Sequence, residues 1–137
     1  MKLLPRLAAV LALAGGAAAI TTVPANADRG DGNVACNSGE ICFYYDYALG
    51  NLSRQFWNPD MDHSNDYYWD RASGSQSSIR LMDTAGSFWN RDTECAIKIW
   101  DITSTGGWFV TFTAPMGWKG DLRSVGKQNR NNGHSRC

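Results

Sequence analysis

The sequence predicts an all-β domain, a sandwich or a pair of Greek keys, and three observations carry that prediction. Short stretches with strand-like alternation are separated by turns rich in glycine, asparagine, serine and aspartate. No helical period is sustained beyond residue 27. A hairpin-like segment also occurs twice, which suits a fold made of two similar halves.

Taken in order, residues 1–27 read as an export signal. Lys2 and Arg6 supply a basic start, Leu7–Ile20 an apolar run broken by Gly15-Gly16, and Ala25-Asn26-Ala27 the small residues of a cleavage site. The run falls short of the about 20 apolar residues that a membrane-spanning helix needs. Cleavage after Ala27 leaves residues 28–137, the size of one domain. The full chain has 13 basic and 13 acidic residues, and losing Lys2 and Arg6 makes the remainder slightly acidic. Such a balance offers no basic field to nucleic acid or to an anionic membrane. The expected product is secreted, extracellular and monomeric.

Cys36, Cys42, Cys95 and Cys137 form an even set in an exported chain, which predicts two disulfides. Four cysteines allow three pairings. Proximity favours a local Cys36–Cys42 bridge around the turn Asn37-Ser38-Gly39, but the sequence leaves the connectivity open. Zinc has no support, since neither C-x-x-C nor a nearby histidine pair is present.

The predicted strands are Ile41–Tyr47, Ala96–Asp101 (A-I-K-I-W-D) and Trp108–Thr113 (W-F-V-T-F-T). The internal repeat relates Tyr45–Phe56 to Trp100–Phe112, each an aromatic-Asp strand end, a glycine-bearing turn and a second strand. Each copy is followed by a segment with Asp or Asn ahead of a serine, Met82–Ser87 and Asn131–Arg136. Two copies of a hairpin with a return segment read as two Greek keys.

These same residues carry a family resemblance. C-N-S-G-E-I-C-F-Y-Y-D (Cys36–Asp46), M-D-T-A-G-S-F-W-N-R (Met82–Arg91) and the N-N-x-x-S ending (Asn131–Ser135) resemble the secreted Streptomyces metalloproteinase inhibitor family. The resemblance spans roughly Cys36 to Cys137. It implies a βγ-crystallin-like sandwich of two Greek-key motifs, and a protease inhibitor rather than an enzyme. Tyr44-Tyr45-Asp46 matches the first hairpin, while Leu49 stands where an aromatic is common and Asn51 replaces the usual glycine. The family's best-known inhibitor presents its protease-facing segment within a second short cysteine loop. Cys95 has no near partner in sequence, so that loop has no counterpart here.

The crystallin-like motif also raises calcium, a hard cation that wants several oxygen ligands. The candidates are Asp83 in the first copy and Asn131, Asn132 and Ser135 in the second. Met82 and Gly86 lack the expected oxygens and the second copy brings no charge, so any calcium binding would be weak and no cofactor is required. The preferred reading is that Asn and Ser side chains bond nearby backbone in tight loops. Asp60–Asp66 (D-M-D-H-S-N-D) begins like an EF-hand loop, yet has Asn65 for the required glycine and Arg71 for the final glutamate. It reads as a solvated acidic loop. Catalysis finds no motif: the two histidines, His63 and His134, lie in no H-E-x-x-H and no G-x-S-x-G is present. His134 reads as a loop residue.

Six tryptophans and five tyrosines are many for so small a domain. Tyr67-Tyr68-Trp69 and Trp118 lie in turn-rich stretches, where an exposed aromatic can anchor a protein or stack on a sugar. Two segments could therefore enter a protease cleft: Asp101–Gly107, with Ile102, Thr103 and Ser104, and Asp60–Gly74, with Tyr67, Tyr68 and Trp69. The expected partner is an extracellular protease, occluded by a rigid loop. The alternatives are an aromatic-surface polysaccharide-binding or antimicrobial protein, and a weakly calcium-binding structural protein.

Overall fold

A computed structural model of the protein describes residues 35–137. The signal segment 1–27 lies outside the described residues. Among the described residues nine strands form two antiparallel sheets, and no helix is long and apolar enough to cross a membrane.

The first half opens with the hairpin β1 (Ile41–Tyr44) and β2 (Leu52–Phe56). A crossing segment and a 3-10 turn at His63–Asn65 follow, then β3 (Tyr67–Asp70), β4 (Ser75–Arg80) and β5 (Ser87–Asn90). The second half is the hairpin β6 (Ile97–Ile102) and β7 (Trp108–Ala114), then β8 (Lys119–Asp121) and β9 (Gly133–Arg136). A second 3-10 turn, Leu122–Val125, follows β8 directly.

The sheets have the orders β4-β3-β2-β1-β5-β8 and β7-β6-β9. In each half the returning strand lies beside the first strand of the hairpin: β5 pairs with β1, and β9 with β6. Each half also lends a segment to the other sheet. β8 pairs with β5, while Asp60 forms an isolated antiparallel bridge with His134 of β9. The sequence repeat is thus a structural one.

The three predicted strands are present as β1, β6 and β7, with one correction. The strand from Ile41 ends at Tyr44 because Leu49, at φ 56°, turns the chain back and the Tyr45 N–H bonds the Leu52 carbonyl. Ser87 on β5 pins that turn: its hydroxyl donates to the Asp46 carbonyl and accepts the Leu49 N–H at 3.0 Å.

β1 is buried on both faces. Ile41 and Phe43 point into the core with Phe56, Tyr68, Leu81, Phe88, Ile97, Ile99 and Leu122. Cys42 and Tyr44 point outward, where the Cys36–Cys42 disulfide packs with Leu49 and Trp89. The short bridge is therefore a cover over the outer face of the first sheet. The other disulfide joins Cys95, ahead of β6, to Cys137, after β9, and no free cysteine exists among the described residues.

Candidate functional site

The second sheet offers the most distinctive surface. Alternation along β6 buries Ile97 and Ile99 and turns Lys98, Trp100 and Ile102 outward. A register shift between Ile99 and Trp100 then sets Trp100 opposite Val110 and Ile102 opposite Trp108. Ile102 is 38% exposed, Val110 38% and Trp108 45%, so an apolar ladder runs along the open face toward the hairpin tip. The Trp100 indole N–H is held by Ser135 Oγ at 2.9 Å.

The tip closes on itself. The Thr103 N–H bonds the Gly107 carbonyl at 2.8 Å, and the Gly106 N–H the Thr103 carbonyl at 2.9 Å. Thr103 Oγ1 accepts the Gly107 N–H at 2.9 Å, and Gly106 takes the left-handed φ of 85° that the turn needs. Thr103 and Ser104 are exposed on this tip. At its base Asp101 is buried, with Oδ1 accepting from Asn132 Nδ2 at 2.9 Å and Oδ2 from Arg130 Nε at 2.8 Å. The predicted segment Asp101–Gly107 is therefore a short, clamped hairpin end.

In the other predicted segment, Asp60–Gly74, the three aromatics expected on a loop lie on a strand instead, while residues 71–74 form an exposed turn. Tyr67, Tyr68 and Trp69 are in β3, paired with β2 and β4. Tyr68 is fully buried in the core, its hydroxyl accepting from Thr84 Oγ1 at 3.3 Å. Tyr67 and Trp69 are half-buried, and Tyr67 lines a shallow cavity of about 340 Å³ with Gln76, Ser77 and Ser78. Trp118 is also half-buried, against Phe88 and Phe112. Tyr67–Trp69 and the Asp101–Gly107 hairpin end thus belong to different sheets.

The four candidate calcium ligands do not compose one ligand set. Asn131 is buried, its Oδ1 accepting the Ala85 N–H at 3.0 Å and its Nδ2 donating to the Leu81 carbonyl at 2.7 Å. Ser135 is held by Trp100 on the outer face. Asn132 Nδ2 is shared between Asp83, at 2.7 Å, and Asp101. Of the four, Asp83 lines the cavity of about 230 Å³ formed with Tyr45, Asp46, Tyr47, Thr84 and Asn129. Burial, and after it the like charge of Asp101, raises the Asp83 carboxyl above its ordinary value. Gly86 leaves no room for an oxygen-bearing side chain, because a Cβ there would stand 2.5 Å from the Tyr45 carbonyl oxygen. For a dissociation constant near 1 mM, millimolar calcium is expected to add about 0.4 kcal/mol, a melting shift of a few degrees at most. A calcium-dependent shift beyond ten degrees, read by differential scanning fluorimetry, would overturn this.

Sequence reasoning missed the two histidines. His63 is not in a solvated loop, and His134 is a strand residue of β9. Both are fully buried and bonded to each other, His63 Nε2 to His134 Nδ1, at 2.8 Å. Asp66, expected to be solvated, is buried too, with Oδ1 bonded to Arg54 at 2.8 Å. No local pattern could have disclosed a contact between positions 71 residues apart.

No family model, curated protein or solved structure matches the chain.

Proposed function

We propose that the chain is a secreted inhibitor of an extracellular metalloprotease, of the kind its resemblance to the Streptomyces metalloproteinase inhibitor family implies, and that the β6–β7 hairpin enters the target's cleft. The observation that carries this reading is the clamped tip with Ile102 and Trp108 exposed side by side at its base. An exposed Trp and Ile on a rigid support are the side chains that fill hydrophobic subsites, and a preformed tip loses little entropy on docking. The two disulfides suit an oxidising, extracellular setting. The return of each half's last strand to its own hairpin supports reading the sandwich as two Greek keys of the βγ-crystallin kind. In this reading the chain performs no catalysis and needs no cofactor.

The test is a panel of thermolysin-type and other extracellular metalloproteases assayed with the oxidised protein. Ile102→Ala and Trp108→Ala are each expected to weaken inhibition about thirtyfold, the consequence of losing about 2 kcal/mol at a binding hot spot. Near-UV circular dichroism checks that the variants keep the fold. If the parent inhibits no member of the panel, the proposal fails. One observation favours a second reading in that event: Trp100 and Trp108 share one face of the second sheet, where indole rings can stack on sugars. Retention on insoluble chitin, abolished in Trp108→Ala, would then favour polysaccharide binding.

A further inference from the structure

We propose that His63 and His134 form an acid-operated latch, which holds the crossing segment of the first half on β9 at neutral pH and releases it in mild acid. The inference is independent of what the hairpin binds.

The geometry limits how many protons the folded pair can hold. His63 Nδ1 faces the Asn131 carbonyl at 2.9 Å, and His134 Nε2 faces the Asn58 carbonyl at 3.1 Å. A carbonyl oxygen only accepts, so each of these nitrogens needs its hydrogen to bond. The two remaining nitrogens, His63 Nε2 and His134 Nδ1, face each other at 2.8 Å, and one proton at most fits between them. A neutral pair, with two ring protons, makes two of these three hydrogen bonds, a pair with one positive charge makes all three, and two charged rings would set N–H against N–H. In the unfolded chain each imidazole takes up its own proton at about pH 6.5. Below that pH the unfolded state binds more protons than the folded state, and acid favours it.

Burial acts in the same direction. It pushes His63 down to about 4 and His134 well below its ordinary value, because a charge on either buried ring would lose its hydration. The histidine contribution is thus fully present above pH 6.5 and is lost as pH falls toward 4. The surrounding charges are mixed. Asp60 and Asp62 favour a charged His63, while Arg54 of β2 opposes it. His63 itself and Arg136 of β9 oppose a charged His134. Asp66 counters the latch: burial raises its carboxyl to about 6, with Arg54 lowering it and Asp60 raising it. A raised carboxyl binds its proton more readily when folded, so Asp66 strengthens the fold as pH falls from about 6 toward the ordinary value of 3.8.

What the latch holds is equally specific. The Asp60 N–H bonds the His134 carbonyl at 3.1 Å, the His134 N–H bonds the Asp60 carbonyl at 2.5 Å, and the His63 N–H bonds the Asn132 carbonyl at 2.9 Å. Gly133 lets the backbones meet, since a Cβ there would lie 2.7 Å from Met61 Cα. Both rings sit among Phe43 and Phe56, with His63 stacked on Phe56 at 5.4 Å between centroids. Expelling a ring opens this seam between the sheets.

The experiment is long-range ¹⁵N–¹H NMR of the oxidised protein from pH 8 to pH 4, with near-UV circular dichroism as the monitor of the fold. The chain has two histidines, so the ring nitrogens are readily assigned. The expected result is that the rings together gain at most one proton while the native signal persists, and become fully charged only as it is lost. Full protonation of both rings near pH 6.5 in a native protein would overturn the proposal. Urea unfolding of Asp66→Asn, which removes the opposing carboxyl, is expected to show the folding constant falling at least about tenfold from pH 7 to pH 5, from one proton taken up only on unfolding. A second replacement in that background, His63→Gln, is expected to flatten this dependence, and an unchanged slope would sink the assignment to the pair. If that variant does not fold, the NMR titration of the parent decides alone.

Discussion

Phe43→Ala is expected to remove about 3–5 kcal/mol of stability, the range for deleting a fully buried aromatic ring from a core that cannot collapse around the gap. Phe43 is buried at the centre of β1, which pairs with β2 on one side and β5 on the other. Its ring centroid lies 4.8 Å from Phe88, 5.0 Å from His63, 5.5 Å from His134 and 6.1 Å from Phe56. Those neighbours come from both halves of the chain and from both sheets, and the flanking strands hold them in place. The measurement is urea unfolding of the oxidised variant against the parent. A loss below about 1 kcal/mol would mean that the site closes over the deletion and that Phe43 is not the hub of the core.

The second large effect belongs to the Cys95–Cys137 disulfide. In the chain-entropy account, closing a loop of sequence separation 42 restricts the unfolded state by about 4 kcal/mol, whereas the separation of 6 at Cys36–Cys42 is worth about 2 kcal/mol. The long bridge encloses the whole second half, and it sits just outside the pairing of Ile97 with Arg136 that joins β6 to β9. Replacing both Cys95 and Cys137 by alanine is therefore expected to cost about twice as much as replacing Cys36 and Cys42. Alanine is the right substitute, because Cys42 is fully buried and a serine hydroxyl there would add the cost of burying a polar group. Urea midpoints of the two double variants decide the matter. The reverse order would show that the short bridge acts chiefly as packing over the outer face of the first sheet.

Much of the fold was legible in local chemistry. The aromatic-rich run from Ile41, the alternation from Ala96 and the strand pattern from Trp108 became β1, β6 and β7 within a residue or three of their expected ends. The repeat was legible because both hairpins use an aromatic-Asp strand end, and a strand that returns beside its own hairpin follows each. The β3–β4 hairpin was less visible. Tyr67-Tyr68-Trp69 follows an acidic stretch and carries no polar residue in alternation, so it read as part of a loop. Pairing with β2 made it a strand, and the pleat then sent Tyr68 inward and left Tyr67 and Trp69 half-buried.

The candidate site divides along the same line. Ile102 and the Thr103–Gly107 turn were legible, since a glycine-rich turn between two strand patterns makes a hairpin whatever lies around it. That Trp108 and Val110 join Ile102 and Trp100 on one face was not, because a register shift inside β6–β7 sets that alignment. By itself the sequence determined the class of fold, the two repeated hairpins and an even complement of cysteines, all properties of local periodicity and composition. The tertiary structure alone decided which cysteines pair, which asparagines are spent on backbone groups and that two distant histidines meet in the core. Those outcomes depend on how two sheets pack and exchange segments, and a contact across 71 residues leaves no trace in the local pattern of either partner.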